Sequence, residues 1–204
     1  MNPSASATKL IHRRATTSSP LNILGHRFLD AFRLKKKIVI SMKNTLLWNP
    51  SSDINAPNYA FKENAINLIQ KLSTSHHLYL LMHYNSTEEY AQIQHIFDNN
   101  ATINCAVQKD NILFCASVAD KLNFLDRIRP DIYVEGDTGH KDGSETIWIL
   151  LQENHIDVVP KVIWIDGSFA ARPLNFMDQA TKLQNDRLEY AESVFQSSIA
   201  SLTK

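Results

Sequence analysis

Ser41 and Lys43 stand two residues apart just past the apolar run Ile38-Val39-Ile40, and Glu135 and Asp137 stand two apart just past Val134. An open parallel sheet binds its ligands beyond the carboxyl ends of its strands, so these are the first positions to inspect for chemistry. Glu135 and Asp137 carry the hard oxygen donors that a magnesium ion takes. The same two residues also suit a solvated turn between a strand and a helix. Ser41 is a weak nucleophile without a neighbouring base, and Lys43 would put a cation where a metal should sit. His83, at the end of the run Leu78-Tyr79-Leu80-Leu81-Met82, is the histidine best placed for acid/base work, but no Ser, Cys or Asp pattern partners it in sequence. No G-x-G-x-x-G follows the first apolar run and no G-x-x-x-x-G-K-[ST] occurs. With five glycines in 204 residues, a glycine-rich phosphate cradle is hard to build. The expectation is no catalytic residue, no cofactor-binding residue and no metal ligand.

The stretch Ser41-Met42-Lys43-Asn44-Thr45-Leu46-Leu47 resembles the first motif of the haloacid-dehalogenase-like phosphatases, with Ser41 and Lys43 at the positions of that family's two aspartates. Val134-Glu135-Gly136-Asp137-Thr138 is a weaker echo of the segment that holds the family's metal. This resemblance implies a phosphatase, or a degenerate descendant of one that has lost its nucleophile.

The elements that must position these residues follow from periodicity. Apolar runs at Lys37–Met42, His77–His83, Asn111–Cys115, Asp131–Val134 and Val158–Ile165 predict five strands buried on both faces. Between them, helices are predicted over Tyr59–Leu72, after a cap at Ser86 or Thr87, over Val118–Ile128 behind a Ser117 cap, and over Ser144–Glu153. A last amphipathic helix is expected from about Met177 to the end, carrying Leu183, Leu188, Val194 and Phe195. Alternating strands and helices with right-handed crossovers make a three-layer, Rossmann-like, doubly wound α/β domain with a parallel sheet of about five strands. Trp48, flanked by apolar residues, is expected to pack over the carboxyl end of that sheet, with Pro50 fixing the turn. The opposing reading is an exposed binding anchor.

Length and composition bound the rest. The chain is of one-domain size, 44% hydrophobic and 21% charged, which excludes wholesale disorder. Lys+Arg and Asp+Glu are both 21, so there is no basic surplus to bind nucleic acid. Cys105 and Cys115 match no metal pattern and read as free thiols of a reducing compartment. Residues 1–20 are Ser/Thr-rich with Arg13 and Arg14 and no acidic residue; they read as a disordered leader, a composition shared with mitochondrial presequences. Residues 21–36 read as an amphipathic linker helix ending in Lys35-Lys36-Lys37, and 37–204 as the folded domain with its C-terminal helix. No apolar stretch reaches the ~20 residues of a membrane span, but a basic amphipathic segment at 21–37 suits peripheral contact with a membrane surface.

A longer series of motifs points to a family. Lys43-Asn44-Thr45-Leu46-Leu47-Trp48-Asn49-Pro50-Ser51, then Asn58-Tyr59-Ala60-Phe61-Lys62-Glu63-Asn64-Ala65, Asn111-Ile112-Leu113-Phe114-Cys115 and Ile128-Arg129-Pro130-Asp131-Ile132-Tyr133-Val134 occur in that order. Together, from about Lys36 to Asp166, they resemble the peroxin-22 (peroxisome assembly protein 22) family. The resemblance implies a Rossmann-like fold without a nucleotide, no enzymatic activity, and a place on the cytosolic face of the peroxisomal membrane. It also implies recruitment and activation of peroxin-4, the peroxisomal ubiquitin-conjugating enzyme, for recycling of import receptors. Members of the family usually begin with a transmembrane segment. The alternatives here are an anchor outside this chain, peripheral contact through residues 21–37, or a cytosolic member. Exposed positions on a sheet-covering helix, Asn123, Asp126 and Arg127, are the candidate partner contacts.

Overall fold

The computed structural model describes residues 35–51, 58–136, 141–152, 158–165 and 187–203. The expected leader and most of the linker helix therefore lie outside the described residues.

Each predicted strand forms, and a sixth joins them. β1 (Lys37–Ser41) is followed by a two-residue ribbon, β2 (Leu47–Trp48) and β3 (Ala60–Phe61), and then by helix α1 (Ala65–Ser75). β4 (His77–His83), α2 (Thr87–Asp98), α3 (Ala101–Ala106), β5 (Ile112–Cys115), α4 (Val118–Ile128), β6 (Ile132–Gly136), α5 (Lys141–Leu151), β7 (Lys161–Ile165), β8 (Leu188–Ala191) and α6 (Ser198–Ser201) complete the described chain. The main sheet runs β5-β4-β1-β6-β7-β8, and every neighbouring pair is parallel. Counting only these six strands, the order is 3-2-1-4-5-6, the dinucleotide-fold order whose switch point falls between the first and fourth strands.

The layers follow from strand alternation. Ile38, Ile40, Leu80, Met82 and Val134 face a core closed by α1, α2 and α3 through Ile69, Leu72, Ile93, Phe97 and Ile103. Val39, Leu81, Tyr133, Val162 and Trp164 face the other core, closed by α4 and α5 through Leu125, Ile147 and Leu150. A sheet covered on both faces needs strands with no polar side, which is why the runs are almost continuously apolar.

Local chemistry sets the helix boundaries. Ser86 Oγ accepts the Glu89 N–H at 3.1 Å, and the Glu89 carboxylate reaches back to the Asn85 N–H at 2.5 Å. Ser117 does the same for α4: its Oγ accepts from the Asp120 N–H at 3.1 Å, and the Asp120 carboxylate reaches back to the Ala116 N–H at 3.4 Å. These reciprocal bonds satisfy donors that the helix itself leaves open. Arg129 ends α4 in the left-handed region at φ 49°, and Pro130 prevents continuation.

Three expectations are corrected. The segment expected to end in a long helix instead forms β8, a short 3₁₀ turn (Val194–Gln196) and the one-turn α6. Leu188 to Ala191 pair with Val162 to Ile165, a long-range ladder that outweighs the local helical spacing. The first helix starts at Ala65 and not at Tyr59, because Ala60 and Phe61 are used by the ribbon and Asn64 holds φ at 64°. Trp48 does not pack over the sheet: it is 46% exposed. In the ribbon Leu47 turns inward and is fully buried, so the next side chain must turn out.

Candidate functional site

Chemistry in this architecture would sit where β1 and β6 end side by side. The exit of β1 is a tight knot. Met42 carbonyl accepts from the N–H groups of Leu46 at 3.1 Å and Leu47 at 2.8 Å, and the Thr45 hydroxyl donates to the carbonyls of Ser41 and Met42. Asn44 takes φ 61° to close the turn, and its carbonyl accepts from Lys62 Nζ at 2.6 Å. Ser41 and Thr45 are buried inside it. From the adjacent strand, Gly136 comes so close that a Cβ there would lie 2.5 Å from the Lys43 carbonyl oxygen. A glycine is required at that point because two backbones meet.

Two ion pairs occupy the space around the knot. Lys43 Nζ lies 2.5 Å from Glu89 Oε1 and 5.5 Å from the centre of the Tyr59 ring. Glu89 also accepts from the Tyr59 hydroxyl at 2.6 Å and from the Asn85 backbone and side-chain amides. Burial pushes the Glu89 carboxyl up, but the bonds from Lys43, Tyr59 and Asn85, with the Lys43 charge, outweigh it and hold the group below its ordinary range. On the other face, Lys121 Nζ lies 2.9 Å from Glu135 Oε2. The Tyr133 hydroxyl donates a short hydrogen bond to the same oxygen, and Gly136 N–H donates to Oε1 at 3.1 Å.

The fate of each sequence candidate follows. Lys43 and Glu135 are both drawn into ion pairs, and Ser41 is packed in the knot. Asp137 lies outside the described residues. Among the described residues no group of three or more His, Cys, Asp or Glu could hold a metal ion. His83 is buried and sits directly opposite Cys115 in the ladder between β4 and β5, a pairing that suggests a nucleophile and its base. Cys115, however, donates to the Met82 carbonyl at 3.4 Å, and burial pushes its thiol up to about 12. A thiol so shifted carries almost no thiolate near neutrality. Asn123, Asp126 and Arg127 are all exposed on α4. Asn123 and Arg127 line a shallow depression of about 320 Å³ beside the end of β5, whereas Asp126 faces Arg129 at 3.9 Å.

Two members of these pairs escaped the sequence reading. Glu89 lies on the same helical stripe as Ile93 and Phe97, and Lys121 shares the stripe of Val118, Leu122 and Leu125. A charged residue on an apolar stripe is the signal that would have found both.

The fold is a Rossmann-like α/β domain in which, among the described residues, the ends of β1 and β6 are taken up by a backbone knot and two internal ion pairs. No model of a protein family matches the chain, and no curated protein matches it at a significant level.

Proposed function

We propose that this chain is a non-catalytic protein-binding partner and co-activator of peroxin-4, supporting import-receptor ubiquitination in peroxisome biogenesis. The observation that carries the reading is the occupancy of the switch point: Lys43 stands where a metal-bound carboxylate would be needed, and it is bound to Glu89. Lys121 likewise takes up Glu135, the acidic group that follows Val134. A nucleophile and anionic metal ligands are what phosphoryl transfer needs, and these side chains supply neither. The partner itself comes from the resemblance to the peroxin-22 family, as does a site of action at the cytosolic face of the peroxisomal membrane. Among the described residues no helix is long and apolar enough to cross a bilayer. Attachment through residues 21–37 is part of the same proposal.

The test is co-purification with peroxin-4 of the same organism, followed by ubiquitin-discharge assays. A stable complex burying about 1,200–2,000 Å² and a faster discharge are expected. Absence of a complex at tens of micromolar overturns the reading. The second reading, a haloacid-dehalogenase-like phosphatase, rests on the frame kept at Ser41 and Lys43 with Glu135 beside it on the neighbouring strand. A magnesium-dependent phosphatase activity lost in Asp137→Ala would favour it; background turnover across phosphate esters closes it.

A further inference from the structure

The ribbon of β2 and β3 has two unlike faces. Leu47 and Phe61 pair across it and pack into the core, and Phe61 meets Phe97 edge-on at 6.2 Å. Trp48 and Ala60 pair on the outer face, and both are exposed. Trp48 is the one large hydrophobic side chain exposed among the described residues. A lone exposed leucine would need no account, but an indole holds far more apolar area, and tryptophan is enriched among the residues that dominate binding energy.

The ribbon is also held firmly. Lys62 N–H bonds to the Leu46 carbonyl at 2.8 Å, Lys62 Nζ to the Asn44 carbonyl, and Tyr59 to Glu89. Asn49 Oδ1 accepts from both Ser51 N–H at 3.1 Å and Asn58 N–H at 2.8 Å, tying the two ends of the intervening loop together. An anchor on such a base loses little freedom on binding.

Charge indicates what it meets. Glu63, two residues beyond β3, is exposed, and so is Glu88, which adjoins the Glu89 bonded to Tyr59. At the opposite, amino end of the strands the exposed charges among the described residues are mixed, basic Lys35, Lys36, Arg127 and Arg129 beside acidic Asp126 and Asp131. The chain has no net charge, and among the described residues the exposed charges flanking the ribbon, Glu63 and Glu88, are acidic.

We propose that Trp48, with the exposed Glu63 and Glu88 on the segments flanking its ribbon, is the anchor by which this domain docks its protein partner, and that the partner offers an apolar pocket bordered by basic groups. The assignment rests on the proposed function, which makes that partner the ubiquitin-conjugating enzyme. It moves the contact from the α4 positions Asn123, Asp126 and Arg127 to the ribbon.

The experiment is titration calorimetry of the full chain with peroxin-4, comparing the wild type with Trp48→Ala, the pair Glu63→Lys with Glu88→Lys, and the triple alanine variant at 123, 126 and 127. Trp48→Ala should weaken binding by on the order of 30-fold or more at an unchanged melting temperature. The charge-reversed pair should bind more weakly and lose most of the salt dependence, while the triple variant binds like the wild type. A wild-type complex that Trp48→Ala and the charge-reversed pair leave intact overturns the anchor and spares the function. No complex with the wild type overturns both.

Discussion

The two ion pairs lie against opposite faces of one sheet, and their solvation differs. Lys121 and Glu135 keep 1% and 2% of their side-chain surface exposed, inside the wall formed by α4; Lys43 and Glu89 keep 9% and 6%, under the ribbon. The first pair has few donors to fall back on: beyond Lys121, Glu135 accepts from Tyr133 and Gly136. The second is a mesh in which Glu89 has Tyr59 and two Asn85 amides besides Lys43. Removing a cation should therefore do different damage in the two places, because what matters is the charge left behind and how it is satisfied.

The largest effect is expected from Lys121→Met. It strands a buried carboxylate, and urea denaturation should show a loss of about 3–5 kcal/mol. Adding Glu135→Leu should recover most of that loss, since well-packed apolar replacements of a buried pair are often neutral. If the single and double variants are equally unstable, the pair is needed for more than mutual neutralisation.

Next is Gly136→Ala. The added methyl would meet the Lys43 backbone at 2.5 Å, and backbone cannot swing aside as a flexible side chain can. A loss of about 1–3 kcal/mol, with a lower melting temperature, is expected.

Lys43→Met comes third, at about 1–2 kcal/mol, because Glu89 keeps its other donors. Its signature should be in the acid limb. Glu89 is held below its ordinary value of 4.5 in the fold, so its contribution is present above that value and is lost as pH falls through the lowered one. Without Lys43 the folded carboxyl moves back toward its ordinary value, so less stability is left to lose to acid and the acid limb should be shallower than the wild type's. An acid limb that superimposes on the wild type would show that Tyr59 and Asn85 hold the carboxylate without help.

The smallest change should come from Trp48→Ala, within about 0.5 kcal/mol of wild type, against about 3–5 kcal/mol for Trp164→Ala in the core. Equal losses would place Trp48 among the packed residues after all.

Most of the framework was legible. His77–His83 could be read directly from its apolar run, and Ser86 and Ser117 cap the helices that their positions announced. What escaped were features decided at long range. β8 is only four residues long and exists because β7 offers it a partner. The ribbon is two residues a side, too short to show a period, so the rule that turns Leu47 in and Trp48 out had nothing to act on. Lys43 and Glu89 are 46 positions apart, and Lys121 and Glu135 belong to different elements; no local pattern joins such partners.

Cys115 and Cys105 give the molecule an internal contrast of practical use. Cys105 is exposed on α3, whereas Cys115 is buried with its thiol raised to about 12. They are the two cysteines of the sequence. A thiol-directed dye should therefore couple once to the native protein, at Cys105, and a second time only when the edge between β4 and β5 opens. The unmodified chain thus carries a labelling handle together with a built-in reporter of its own unfolding.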